Sequence, residues 1–233
     1  MKKIMLLIAF VSFPFFVFAK EVKVDNINLK AEISDDYIVL TRNNLKNNED
    51  LKKLGISEDY MMDTMEKNNI YLDILSKDIS YEILVVVPSV QLSFYNLSDA
   101  TDSMLEDLKN ELVKMTGAEV SSVYKGKNNY IVVNYYDKNT DYYIANYYTV
   151  VNAKGYNIQL QKKTEINDVE KEELKKIVDN IDIDVISSSD TNSNSGGLTI
   201  KNIIIGAVIG AVVGLISYCI SVFVRKNVKK SSN

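Results

Sequence analysis

The sequence predicts an α+β domain, an antiparallel sheet with helices packed on it, joined to one C-terminal transmembrane helix. Three observations predict it. Strand-like segments follow one another with only short turns between them: EVSSVYK, NYIVVNYYD, DYYIANYYTVV and GYNIQLQ. Amphipathic helical patterns precede and follow that run. Residues Ile203 to Val224 then carry no charge, and a helix of that length, rising ~1.5 Å per residue, crosses a hydrocarbon core of ~30 Å.

Each segment has its own warrant, beginning at the N-terminus. Lys2 and Lys3 precede an apolar run from Ile4 to Phe18, broken by Pro14. Val17 and Ala19 suit the small-residue positions of a secretory signal, which puts cleavage after Ala19. An uncleaved anchor is the alternative. Both place residues 20–186 outside the cell as one domain. Residues 187–200 then form a Ser/Asn/Gly linker, 201–224 the span, and 225–233 a basic tail. Arg225, Lys226, Lys229 and Lys230 orient the span with this tail in the cytoplasm. The stretch SSSDTNSNSGG has a root-mean-square reach of roughly 18 Å, so the domain is expected close above the bilayer.

Within the domain, Val22, Val24, Ile27, Leu29, Ala31 and Ile33 suggest extended chain, and YIVLTR (Tyr37 to Arg42) a short strand. A helical piece holding Leu51 and Leu54 stops at Gly55. Ser57 caps a second, with Glu58 and Asp59 in its first turn and Met61, Met62 and Met65 on one face. IYLDIL (Ile70 to Leu75) and YEILVVV (Tyr81 to Val87) are strands. The unbroken apolar run of the latter suits a central strand covered on both faces. Ser98 is expected to cap the next helix, with Leu105, Leu108, Leu112 and Met115 buried and Gly117 as its stop. Asn152 to Gly155 turn the last two strands into a hairpin. Asn167 and Glu170 make a capping-box start for a final helix that buries Leu174, Ile177, Val178 and Ile181.

Composition excludes several functions. The chain has no histidine, so Ser-His-Asp and Cys-His catalysis, His-ligated zinc and a histidine pH switch are absent. Its one cysteine, Cys219, falls inside the span, which leaves the outer domain without disulfides. Residues 20–200 keep 20 of the 27 basic side chains and all 31 acidic ones, a balance of −11, and nucleic acid is not an expected partner. Carboxylate chemistry remains open, because glycosidase pairs are defined by spatial separation. Asp137, Asn139 and Asp141 imitate the opening of a calcium loop. Tyr142 and Tyr148 stand where its glycine and bidentate Glu belong, so DKNTD reads as a hairpin turn. No cofactor or metal is expected. Heavy use of Lys, Asn, Ile and Tyr suggests a low-GC Gram-positive source.

Two patches stand out as contact surfaces. If Tyr136 pairs opposite Tyr142 across the hairpin, alternation puts Ile131, Val133, Tyr135, Tyr143, Ala145 and Tyr147 on a core face. Tyr130, Asn134, Tyr136, Tyr142, Asn146 and Tyr148 then share the other face, a mixture of rings and amides suited to a protein partner. A helix covering that face is the alternative. In the span, Gly206, Gly210 and Gly214 repeat every four residues and offer a face for helix packing, homo- or hetero-oligomeric.

The stretches ISDDYIVLTR, IYLDIL, YYTVVNAKGYNIQL and LKKIVDNIDID resemble the PsbP-like domain, and most of all its membrane-anchored or secreted versions in clostridial-type bacteria. The resemblance covers roughly residues 31–186. It implies a central antiparallel sheet between helices, an α/β/α sandwich. It also implies a binding or assembly role rather than catalysis, and it carries over no functional residue. The expectation is therefore a non-catalytic, membrane-tethered envelope module acting on an unidentified envelope or membrane protein. A carboxylate-based envelope enzyme, and a structural subunit recruited by its span, are the alternatives.

Overall fold

The computed structural model describes residues 19–89, 92, 94–118 and 120–186. The signal segment 1–18, the linker and the span, with Gly206, Gly210 and Gly214, lie outside the described residues. No helix among the described residues is long and apolar enough to cross a membrane. Ala19, the expected cleavage site, is the exposed first residue of strand β1 (Ala19–Val24).

Two antiparallel sheets form. The small one sets β1 and β10 (Ile181–Ile183) on either side of β2 (Leu29–Ser34). The main sheet has seven strands: β3 (Tyr37–Thr41), β4 (Ile70–Ser76), β5 (Glu82–Val86), β9 (Lys154–Lys162), β8 (Tyr142–Val151), β7 (Asn129–Asp137) and β6 (Val120–Lys125), in that spatial order. All its neighbours pair antiparallel. The molecule is thus mixed α+β. Two sheets rather than one is a departure from expectation. Its cause is a 3₁₀ turn at Asp25–Ile27, which folds the N-terminal strands into a hairpin of their own.

The main sheet is covered on both sides. Helix α4 (Asp168–Asp179) and the small sheet lie on the near face, where Leu174, Ile177 and Val178 meet Ile74, Ile83, Ile158 and Leu160 in one core cluster. Helices α1 (Glu49–Leu54) and α2 (Glu58–Lys67) cover one flank of the far face, packing Leu51, Met61 and Met65 on Leu40, Leu75 and Leu84. Helix α3 (Asp102–Thr116) covers the other flank, with Leu105, Leu108 and Leu112 on Ile131, Val133 and Tyr148. Each such aliphatic side chain contributes roughly 1.5–3 kcal/mol on burial. Strand β5 is buried at all five positions, as its apolar run demands.

Helix ends follow local chemistry. Gly55 and Gly117 end α1 and α3 in the left-handed region at φ 73° and 68°. Ser57 caps α2, and Asn167 and Glu170 form a complete capping box on α4. Three expectations need correction. Thr101, not Ser98, caps α3; Ser98 sits in a 3₁₀ turn and its hydroxyl accepts from the Asn129 N–H at 3.3 Å. Met115 is 49 % exposed, because at ~100° per residue it lies past the edge of the leucine stripe. Ile181 is buried, but as the first residue of β10.

Candidate functional site

The tyrosine hairpin does not have the register that the sequence suggested. Tyr136 pairs with Tyr143, and Asp137 with Tyr142. Asp137 itself closes the turn: its carboxylate accepts from the Asn139 N–H at 2.9 Å and the Thr140 hydroxyl at 3.0 Å, while its carbonyl accepts from the Asp141 N–H at 2.8 Å. Asp141 takes φ 60° to complete it. A loop one residue shorter moves every β8 side chain to the opposite face relative to β7. The six candidate contact residues therefore divide. Tyr130, Asn134 and Tyr136 lie on the near face, whereas Tyr142, Asn146 and Tyr148 lie on the far face. Tyr130, Tyr142, Asn146 and Tyr148 are buried, so the continuous exposed surface expected of these six does not exist.

Most of the tyrosines are structural. On the near face Tyr124, Tyr130 and Tyr147 form a ring cluster with centroids 5.7–6.1 Å apart. Lys175 lies 4.9 Å from the Tyr124 ring, and the Tyr124 hydroxyl donates to Asp179. Burial pushes the Tyr130 hydroxyl up to about 12. On the far face Tyr148 lies under α3 and over Gly155. A Cβ at Gly155 would meet the Tyr148 hydroxyl at 3.0 Å, so a side chain at 155 would displace that ring.

What remains open at the hairpin is a small groove of about 140 Å³ beside the start of α4. Tyr136, 42 % exposed, and the half-buried Tyr143 form one wall, with ring centroids 5.0 Å apart. Ile166 adds an apolar contact, and Glu165 and Lys171 supply opposite charges. Asn134 also lines it. Its Oδ1 is shielded from solvent and has no hydrogen-bond partner. The Tyr136 hydroxyl donates to Asp141, which raises the tyrosine above its usual range. The same bond, reinforced by Lys163, lowers Asp141.

A second feature was not anticipated. The central strand β9 presents Asn157, Gln159 and Gln161 to the far face, all buried. By register Gln161 stands beside Glu82, and Gln159 stands between Leu84 and Asn146. Asn146 Nδ2 donates to Asn157 Oδ1 at 2.9 Å, and Gln161 Nε2 donates to Glu82. Asp73 ends this polar strip, set between Leu40 and Leu84. It is fully buried, and neither carboxylate oxygen has a hydrogen-bond partner. Burial first, and then the charge of Glu82, raises its pKa well above the carboxylate range. No group of three or more acidic, His or Cys side chains able to hold a metal occurs among the described residues.

A second cavity, of about 290 Å³, lies between Ile27, Tyr71, Pro88 and Lys154. Neither Asp73 nor Glu82 lines it or the tyrosine groove.

No family profile matches the chain, and no curated protein matches it. Among solved structures it is similar to the solution structure of cyanobacterial PsbP (CyanoP) from Synechocystis sp. PCC 6803, at 10 % identity and a TM-score of 0.41, over 72 % of this chain and 93 % of that one. No residue role is carried from that protein to this one.

Proposed function

We propose that the protein is a non-catalytic binding module, held outside the membrane by its C-terminal span, which engages an envelope or membrane protein through the groove at Tyr136 and Tyr143. The observation that carries this reading is the composition of that groove. Two tyrosine rings offer flat apolar area at low entropic cost. Asn134 adds a polar side chain to the groove lining. Glu165 and Lys171 give the rim two charges of opposite sign, which set orientation more than affinity. Rings at the centre and charges at the rim are the makeup of a protein contact. The address rests on the uncharged run from 203 to 224 and the basic tail behind it.

The carboxylates Asp73 and Glu82 do not turn the reading toward hydrolysis. Both are fully buried, and neither lines a described cavity where a substrate bond could lie between them. The test is co-purification of the tagged full-length chain from crosslinked cells. Tyr136→Ser with Tyr143→Ser is expected to lose the co-purifying protein. Tyr143 also packs against the near-face core, so the wild-type melting temperature is expected of Tyr136→Ser alone, which should lose the partner as well. Retention of the same partner by that double variant would refute the groove as the contact.

A further inference from the structure

We propose that Asp73 keeps the α1–α2 cover closed as a neutral acid, and that a rise in pH opens the cover by ionising it. The geometry carries this. Asp73 occupies the middle of the floor on which α1 and α2 sit, with Leu40 on one side and Leu84 on the other. Its exposure is 0 %, and both oxygens lack a hydrogen-bond partner. A carboxylate in such a place is far more costly than a carboxylic acid, whereas the apolar side chains around it tolerate the neutral form.

The charges around it do not offer relief. Strand β5 contributes Glu82, which is of the same sign, and β9 contributes the neutral Gln159 and Gln161. Strand β3 leads into Arg42, but that guanidinium donates to the carbonyls of Ile70 and Met65 at 2.9 Å and lies 4.1 Å from the Tyr71 ring. The inward residues of α1 and α2 are Leu51, Met61 and Met65. Their charged residues include the outward pairs Glu49–Lys52, Asp50–Lys53 and Asp63–Lys67.

Opening the cover wets Asp73 and returns it to an ordinary acid that gives up its proton near pH ~3.9. In the closed state the proton stays on. Opening therefore releases one proton across the whole interval between ~3.9 and the raised pKa of the closed state. The opening equilibrium should rise about tenfold per pH unit there. It levels off once Asp73 ionises with the cover still closed. Ionisation is favoured in the open state, so the closed state loses ground as pH rises. What opening presents is the floor of Leu40, Leu75 and Leu84 around Asp73 and the methionine side of α2, a surface distinct from the tyrosine groove.

The experiment is hydrogen exchange on the full-length chain in nanodiscs from pH 5 to 8, corrected for intrinsic exchange, comparing residues 49–67 with α4. The expected result is opening of 49–67 that climbs with pH, by about tenfold per unit up to the pH at which Asp73 ionises with the cover closed, with α4 unchanged. Asp73→Asn and Asp73→Leu should both be flat. Glu82→Gln removes the repelling charge, so its slope should level off at a lower pH. The proposal is overturned by opening of 49–67 that does not depend on pH, or by a slope that survives in Asp73→Asn. A slope shared equally by α4 would also overturn it, since it would report global unfolding. Loss or retention of the Tyr136 contact affects none of these readouts.

Discussion

On the near face of the main sheet, buried polar groups are largely matched. Lys162 meets Glu170 with side chains only 11 % exposed, and the Tyr156 hydroxyl donates to the Ile27 carbonyl at 2.9 Å. The Tyr81 hydroxyl donates to Glu173. The far face treats polarity differently. There a full row of amides is buried, and Asp73 is buried without any partner. The first arrangement ties α4 and the small sheet to the sheet. The second costs stability and so points to a role that packing alone does not supply.

Substitutions can break or sharpen this contrast. The largest effect is expected on the matched face. Glu170→Ala leaves Lys162 buried without its partner and also removes half of the α4 capping box, so it should cost about 3–5 kcal/mol in urea unfolding. A loss under ~1 kcal/mol would place the pair among ordinary surface bridges. Next, Asp73→Asn should do the reverse and stabilise the fold at neutral pH by about 1–3 kcal/mol, by removing the buried ionisable group.

The pH dependence of Asp73 has a definite sign. Its folded pKa is raised, so its contribution is fully present below the unfolded value of ~3.9 and is lost as pH rises through the folded value. Wild-type stability should therefore fall with rising pH relative to Asp73→Asn, as read by paired melting curves. Asp141 and Asp179 have lowered values and act in the opposite direction, with their contributions lost only as pH falls through those depressed values. Smaller still is Tyr156→Phe, which removes one hydrogen bond and should cost about 1 kcal/mol by denaturant midpoint. Tyr136→Ser should leave the midpoint where it is, since that ring is exposed.

Local chemistry was legible in the sequence. Gly55, Ser57, Gly117 and the Asn167–Glu170 box act within four residues, and each ends or begins a helix where expected. The apolar run of β5 signalled a strand covered on both faces, which holds. The tyrosine surface was not legible, because its parity turns on whether Asp137 belongs to the loop or to the strand. The side-chain hydrogen bonds of Asp137 decide that, and with it the face of every tyrosine in β8.

Asp73 and the amides of β9 were not legible for another reason. In IYLDIL and GYNIQLQ the polar residues alternate as if facing water. Pairing β9 beside β5 at the centre of the sheet buries both of its faces, and pairing distant strands is a matter of topology that alternation does not encode.

The reading of the protein as a binding module stands most directly on Tyr136. A photo-crosslinking phenylalanine analogue at 136, in the full-length protein in living cells, tests it against the same group at Met115, which is comparably exposed on α3. The account predicts one discrete adduct from position 136 and none from 115. Adducts of equal yield from both positions, or none from 136, would contradict it.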